Sequence, residues 1–185
     1  MKSVFRMPTP VKIIGRASSI TNAFVNGIIP VIEPTDEEID EALETLGMTR
    51  ETICCAYCGD TYTEWDHFNP LIVDKKTTGY ISEIHNLVPA CGKCNQSKGN
   101  KEWKKWIISE ASLSPKARGI SDIEVRMERL RKYEEKYTPR KIDFESIVGK
   151  ELWDKHWMNH KQLLELMKIC QETSDVIKEK LLNSI

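Results

Sequence analysis

The chain has 185 residues, of which 40% are hydrophobic and 30% charged, and its formal net charge is −1. That size and balance suit one soluble domain, or a compact domain with helical additions, built around a real core. No apolar run approaches the roughly 20 residues that cross a bilayer, and the first residues lack the apolar core of a signal peptide. A cytoplasmic protein with no membrane association is therefore expected.

Residues 1–17 carry prolines and a glycine but little periodicity, and read as an extended arm with a short strand at 11–14. Ser18 or Ser19 can cap a helix through Asn26, with Ile20, Ala23 and Phe24 on one face and Gly27 as its end. A short apolar segment follows at 28–32. The run Thr35-Asp-Glu-Glu38 is a capping box, and Ile39, Ala42, Leu43 and Leu46 follow at helical spacing until Gly47.

Residues 61–65 alternate and predict a strand leading into Asp66-His67. Residues 70–79 read as a loop with a turn-rich tip at 74–79, and 84–88 as the returning strand. From Asn95 onward a helix is expected, with Trp103, Trp106 and Ile107 as its apolar stripe. Ile123, Met127, Leu130 and Tyr133 mark an amphipathic helix over 121–137, closed by Thr138-Pro139. Residues 149–182 are again helical, with a break expected near Thr173-Ser174. The fold class is α+β and mainly helical, in three parts: an N-terminal arm and acidic helix (1–50), a core (51–110) and a C-terminal helical region (111–185).

Charge is uneven along the chain. Residues 33–51 hold eight acids against Arg50, whereas 93–105 hold five lysines against Glu102, and 116–141 hold nine bases against five acids. Positive charge gathers where a polyanion such as double-stranded DNA would need it. Solvated helix faces are the plain alternative, above all after residue 116.

Six cysteines include two Cys-x-x-Cys pairs, Cys55/Cys58 and Cys91/Cys94. This is the pattern of a four-thiolate structural zinc site, and it suits a reducing cytosol better than a disulfide framework. Cys54 could compete with Cys55 as a ligand, but the two-residue spacing favours Cys55. Cys170, in an apolar helical pattern, reads as a small core residue.

Between and after the pairs stand groups that can do chemistry. Phosphodiester hydrolysis needs a nucleophilic water, charge stabilisation at the phosphate and a proton for the leaving oxygen. His67 suits the general base, since its ordinary pKa lies near neutrality. Asp66 can bind a hard cation such as Mg2+ or Mn2+, and Asn95 can supply a second, neutral oxygen. Lys98 and Lys101 are placed to contact phosphate. Each has a plainer reading: an isolated Asp-His is usually a surface pair, and Asn95 could simply cap its helix. His85 reads as an exposed loop residue, and His156 with His160 as a helix surface pair. Glu64 and Tyr57 could also touch the site.

The order of Cys55-x-x-Cys58, Asp66-His67, Asn86-Leu-Val88 and Cys91-x-x-Cys94-Asn95-x-x-Lys98-Gly99 resembles the His-Asn-His (HNH) endonucleases. The resemblance covers about a quarter of the chain. It implies a ββα-metal core and a one-metal DNA endonuclease, with Asp66, His67, Asn86 and Asn95 at the site. It also implies that Asn86 braces the strand bearing His67 rather than touching substrate. Family members often carry a third histidine where this chain has Gly99, which leaves the Asp-plus-Asn site that favours Mg2+ or Mn2+. A type II restriction enzyme is the expected role. A homing or phage-type nicking enzyme and a non-catalytic zinc-ribbon DNA-binding protein are the alternatives. The apolar faces at 152–167 and 176–182 suit a homodimer, and packing on their own core explains them equally well.

Overall fold

The protein is described from a computed structural model covering Phe5 and residues 7–185. The chain forms two compact units, residues 28–143 and a second one made of its two ends, up to Gly27 and from Phe144. The expected extended arm lies partly outside the described residues.

The helix expected through Asn26 is present in the end unit as α1 (Ala17–Asn26), with Gly27 at its C-terminus, so the first helix of the larger unit is α2. Helix α2 (Asp36–Thr45) starts on the capping box. The Glu38 N–H donates to Thr35 Oγ1 at 3.2 Å and the Thr35 N–H to Glu38 Oε2 at 2.8 Å. Ala42, Leu43 and the following Leu46 are buried, and the acids of the opposite face stay exposed. This is the amphipathic split that the spacing dictates.

Strand β1 (Glu64–His67) pairs antiparallel with β4 (Leu87–Ala90), with Asp66 opposite Val88 and His67 opposite Leu87. Between them the chain makes a small hairpin where a loop was expected, β2 (Ile72–Val73) and β3 (Lys76–Thr77). Its two-residue tip, Asp74-Lys75, has φ of 50° and 63°, the double left-handed conformation that matches strand twist in tight hairpins. The strands also differ from expectation. β1 itself contains Asp66 and His67, because the first cysteine knuckle occupies the chain up to Asp60, whose carbonyl accepts the Cys55 N–H at 2.8 Å. Residues Ile84–Asn86 form a 3-10 turn before β4 begins.

Helix α3 (Gly92–Lys98) follows β4 at once, which completes a ββα unit. The single helix expected from Asn95 is two. Gly99 takes φ of 49° and ends α3, and α4 (Trp103–Ile107) starts afresh, burying Trp103, Trp106 and Ile107. Helix α5 (Ile123–Lys136) buries Met127, Leu130 and Tyr133. Phe68 sits between the rings of Trp103 and Tyr133, at centroid distances of 5.2 and 5.8 Å. The Tyr133 hydroxyl lies 2.6 Å from the Ile84 carbonyl and 2.9 Å from that of Leu87, so α5 satisfies the backbone where the 3-10 turn passes into β4.

In the end unit a 3-10 turn at Ile13–Arg16 replaces the expected strand and runs into α1. Helix α6 (Phe144–Val148) precedes α7 (Lys150–Leu182), which is unbroken through Thr173-Ser174. The Thr173 hydroxyl donates back to the Ile169 carbonyl one turn earlier at 3.1 Å, so its polar group is satisfied inside the helix and does not force an end there. Cys170 is exposed rather than part of a core, at the edge of the stripe of α7 that buries Gln171 and half-buries Leu163 and Met167. His156 and His160 are half-buried against Phe24 rather than on the surface; their Nε2 atoms lie 3.1 Å from the Phe24 carbonyl and 3.0 Å from Thr21 Oγ1. Among the described residues no helix is long and apolar enough to cross a membrane.

The prediction concerns α5. Tyr133→Phe keeps the ring but strands two buried carbonyls, and should cost about 1–3 kcal/mol. A urea melt compared with the parent protein measures it; an unchanged midpoint would mean that water replaces the hydroxyl.

Candidate active site

The sulfurs of Cys55, Cys58, Cys91 and Cys94 all lie within 4.8 Å of one another, and all four residues are buried. Cys58 and Cys91 are 3.6 Å apart. A tetrahedral four-thiolate site with bonds of about 2.3 Å separates its sulfurs by about 3.8 Å, so the four sulfurs already stand near the spacing that a bound metal ion requires. Cys54 lies outside the group. Crowding sets the thiols against one another. Hydrogen bonds from Cys55 and Cys94 hold Cys58 far below the usual thiol range, and the same contact with Cys58 pushes Cys55 up to about 12. Cys58 is thus the readiest thiolate, and Cys55 and Cys94 are pushed toward keeping protons that a bound cation would displace.

Two arginines brace the cluster, and nothing in the spacing of the sequence announces them. Arg118 Nη1 lies 3.4 Å from Cys94 Sγ, a cationic partner for thiolate charge. Arg126 Nη1 donates to the Cys55 carbonyl at 3.2 Å. Gly59 has φ of 77°, a conformation that favours glycine, and a side chain there would displace the Arg126 guanidinium.

Strand β1 directs Asp66 inward, where it is 5% exposed, and leaves His67 half-buried. The alternation follows from the pleat. Lys98, on α3, is completely buried, with Nζ 3.0 Å from Asp66 Oδ2 and 2.7 Å from the His67 carbonyl. Expected at a phosphate, Lys98 is instead enclosed against β1, and one ammonium docks α3 onto the Asp66-His67 step. Tyr57, from within the first knuckle, donates to the same Asp66 Oδ2 at 2.7 Å. Burial raises the Asp66 carboxyl above its usual range, although Lys98 and Tyr57 oppose that rise. Burial likewise lowers Lys98 despite the attraction of Asp66. For both partners desolvation outweighs pairing, so the pair is a cost to folding that each member makes bearable for the other.

His67 Nε2 is 2.8 Å from Ser82 Oγ, a partner that the sequence did not suggest. Burial and then the nearby Lys98 charge lower the His67 pKa below its ordinary value, which leaves the imidazole neutral at neutral pH. Asn86 is fully buried. Its Oδ1 accepts from the Asn69 N–H at 2.8 Å and Nδ2 at 3.1 Å, and its own Nδ2 donates to the Asn69 and Ile81 carbonyls at 3.1 and 3.3 Å. It therefore ties the segment after β1 to the turn before β4. Asn95 is half-buried on α3, one turn before Lys98 and on the same face. Among the described residues its side-chain amide has no hydrogen-bond partner. Lys101 is exposed and donates to the Ser97 carbonyl at 2.7 Å. His85 is half-buried and stacks on Tyr137, with centroids 4.6 Å apart. Glu64 is exposed at the start of β1.

The family model of HNH endonucleases matches residues 55–101, the stretch that holds the cysteine cluster, β1, β4 and α3. This segment belongs to the HNH endonuclease family. The HNH domain makes up about a quarter of the chain. A stretch of 61 residues is also 41% identical to the CRISPR-associated endonuclease Cas9 of Corynebacterium diphtheriae. That similarity covers 31% of this chain and only 5% of Cas9. No solved structure matches the chain.

Within the HNH domain the ion pair generates the prediction. Lys98→Met leaves a buried carboxylate without its counter-charge and should destabilise the protein by about 3–5 kcal/mol. Adding Asp66→Asn should recover much of that loss. Thermal melts of the two single variants and the double variant give the coupling; additive losses would show that the pair is not a unit.

Proposed function

We propose that the protein is a metal-dependent DNA endonuclease that hydrolyses phosphodiester bonds at Asp66, His67 and Asn95. The observation that carries this reading is the docking of α3 on β1 through Lys98, 2.7 Å from the His67 carbonyl and 3.0 Å from Asp66. It sets Asn95 on the helix face turned toward the Asp66-His67 step. His67, kept neutral by burial, removes the proton from the attacking water, and Ser82 orients its ring. Asn86 supports β1 from the far side of the turn. Asp66 Oδ1 and the Asn95 amide oxygen are hard, neutral-to-anionic donors that would hold Mg2+ or Mn2+. When bound, such an ion would stabilise charge developing on the phosphate. Structural Zn2+ is the fitting occupant of the four thiols. Reducing conditions in the cytoplasm would keep those thiols as ligands.

For the biological role we favour a type II restriction enzyme acting on double-stranded DNA as a homodimer, with one site per strand. Support comes from α7, on which Leu166, Ile169, Val176 and Ile177 are more than half exposed. A nicking enzyme of the homing or phage type would work as a monomer. The reading from another class, a DNA-binding module without hydrolysis, draws on the fact that Lys98 already neutralises Asp66.

Supercoiled plasmid incubated with the zinc-loaded protein and Mg2+ tests these together. Cleavage is expected, and His67→Ala should reduce it by at least about 100-fold while zinc content stays the same. Binding without cleavage under Mg2+ or Mn2+ would favour the binding module. Nicked circles as the sole product, from a protein monomeric by light scattering, would favour the nicking enzyme.

A further inference from the structure

Tyr57 lies between Cys55 and Cys58, inside the first knuckle, and has no exposed surface. Its position is fixed from three sides. The knuckle cysteines flank it, its ring meets Trp106 edge-on with centroids 5.2 Å apart, and the neighbouring Ala56 N–H donates to the Pro89 carbonyl of β4 at 2.8 Å. From this fixed base the hydroxyl donates to Asp66 Oδ2 at 2.7 Å. Lys98 reaches the same oxygen at 3.0 Å, and Oδ1 takes neither contact. A carboxylate held by one partner can still turn about its last torsion. Two partners, one from the knuckle and one from α3, remove that freedom.

We propose that Tyr57 is a positioning residue that carries the geometry of the cysteine cluster to the Asp66 carboxylate. By occupying Oδ2 together with Lys98, it presents Oδ1 to a divalent cation shared with Asn95. The inference rests on the cation site proposed above and assigns the knuckle tyrosine a part in building it. The cysteine cluster then does more than hold the fold, because its first knuckle sets the angle of a ligand that is not its own.

Tyr57→Phe tests this, since it keeps the ring and its packing on Trp106 and removes only the hydroxyl. The readout is Mn2+ affinity, measured by titration calorimetry on zinc-loaded full-length protein. Orienting hydrogen bonds to metal ligands typically contribute about 10–100-fold in affinity, and a loss in that range is expected, with zinc content unchanged. Equal Mn2+ affinity in Tyr57→Phe and the parent protein would overturn the proposal. Asp66→Asn serves as the reference: if it too binds Mn2+ like the parent, the cation site itself is misplaced and the inference falls with it. Should Tyr57→Phe fail to fold, the parent protein labelled with 13C at tyrosine Cζ gives an independent readout. Mg2+ should shift the Tyr57 resonance as Asp66 takes up the ion, and an unmoved resonance would overturn the proposal.

Discussion

Two strands of four residues cannot hold each other in water, and the whole site is built on such a pair. What fixes β1 against β4 is the gathering of four cysteines from two distant knuckles. Cys55 and Cys58 lie just before β1, and Cys91 and Cys94 just after β4, so closing the cluster clamps the open end of the hairpin. The backbone repeats the clamp, with the Ala56 N–H on the Pro89 carbonyl and the Thr63 N–H on that of Ala90. At the other end Asn86 and Tyr133 satisfy the polar groups of the turn. Between these two fastenings β1 has no freedom to shift register, and a one-residue slip would exchange the faces of Asp66 and His67.

The Asp66–Lys98 pair is a different kind of constraint. Burial works against both charges more strongly than their attraction favours them. Such a pair is a poor way to gain stability and a good way to specify one arrangement. Only one docking of α3 on β1 lets Lys98 reach both the Asp66 carboxylate and the His67 carbonyl. The apolar surface around it, Trp103, Trp106 and Phe68, supplies the stability, and the ion pair selects the register of the helix.

Elements whose signals are local were legible in the sequence. The capping box placed α2, the apolar spacing placed α5, and the cysteine spacing gave the cluster. Features that depend on long-range contacts were not. Nothing near Lys98 says that its ammonium will cross to β1 rather than face solvent, and nothing near Ser82 says that it will meet His67. The single helix expected after Asn95 fails at Gly99 because periodicity across the Trp103-Trp106 stripe hides one left-handed residue. Cys170 looked internal because its neighbours are apolar, but it stands at the edge of the stripe that α7 packs. Tyr57 stood beside the cysteines as a candidate whose partner only the fold could name.

The same distinction governs how the basic stretch around α3 and α4 can meet a polyanion. Lys93 lies 3.6 Å from Asp60, Lys104 is 2.6 Å from Glu134, and Lys105 is 2.8 Å from Glu102. The Lys93 and Lys105 side chains are more than half exposed, and that of Lys104 nearly so. Exposed pairs contribute at most about 1 kcal/mol each, so phosphate can displace the carboxylates at little cost. Lys98 is excluded from that exchange, because leaving Asp66 would strand a buried charge. Nucleic-acid contact along this stretch is therefore open to Lys101, which has no carboxylate partner in an ion pair among the described residues, and to the lysines that surrender weak ones. It will weaken steeply with added salt, as counterion release requires, whereas the buried pair beneath it, shielded from the solvent, will not respond.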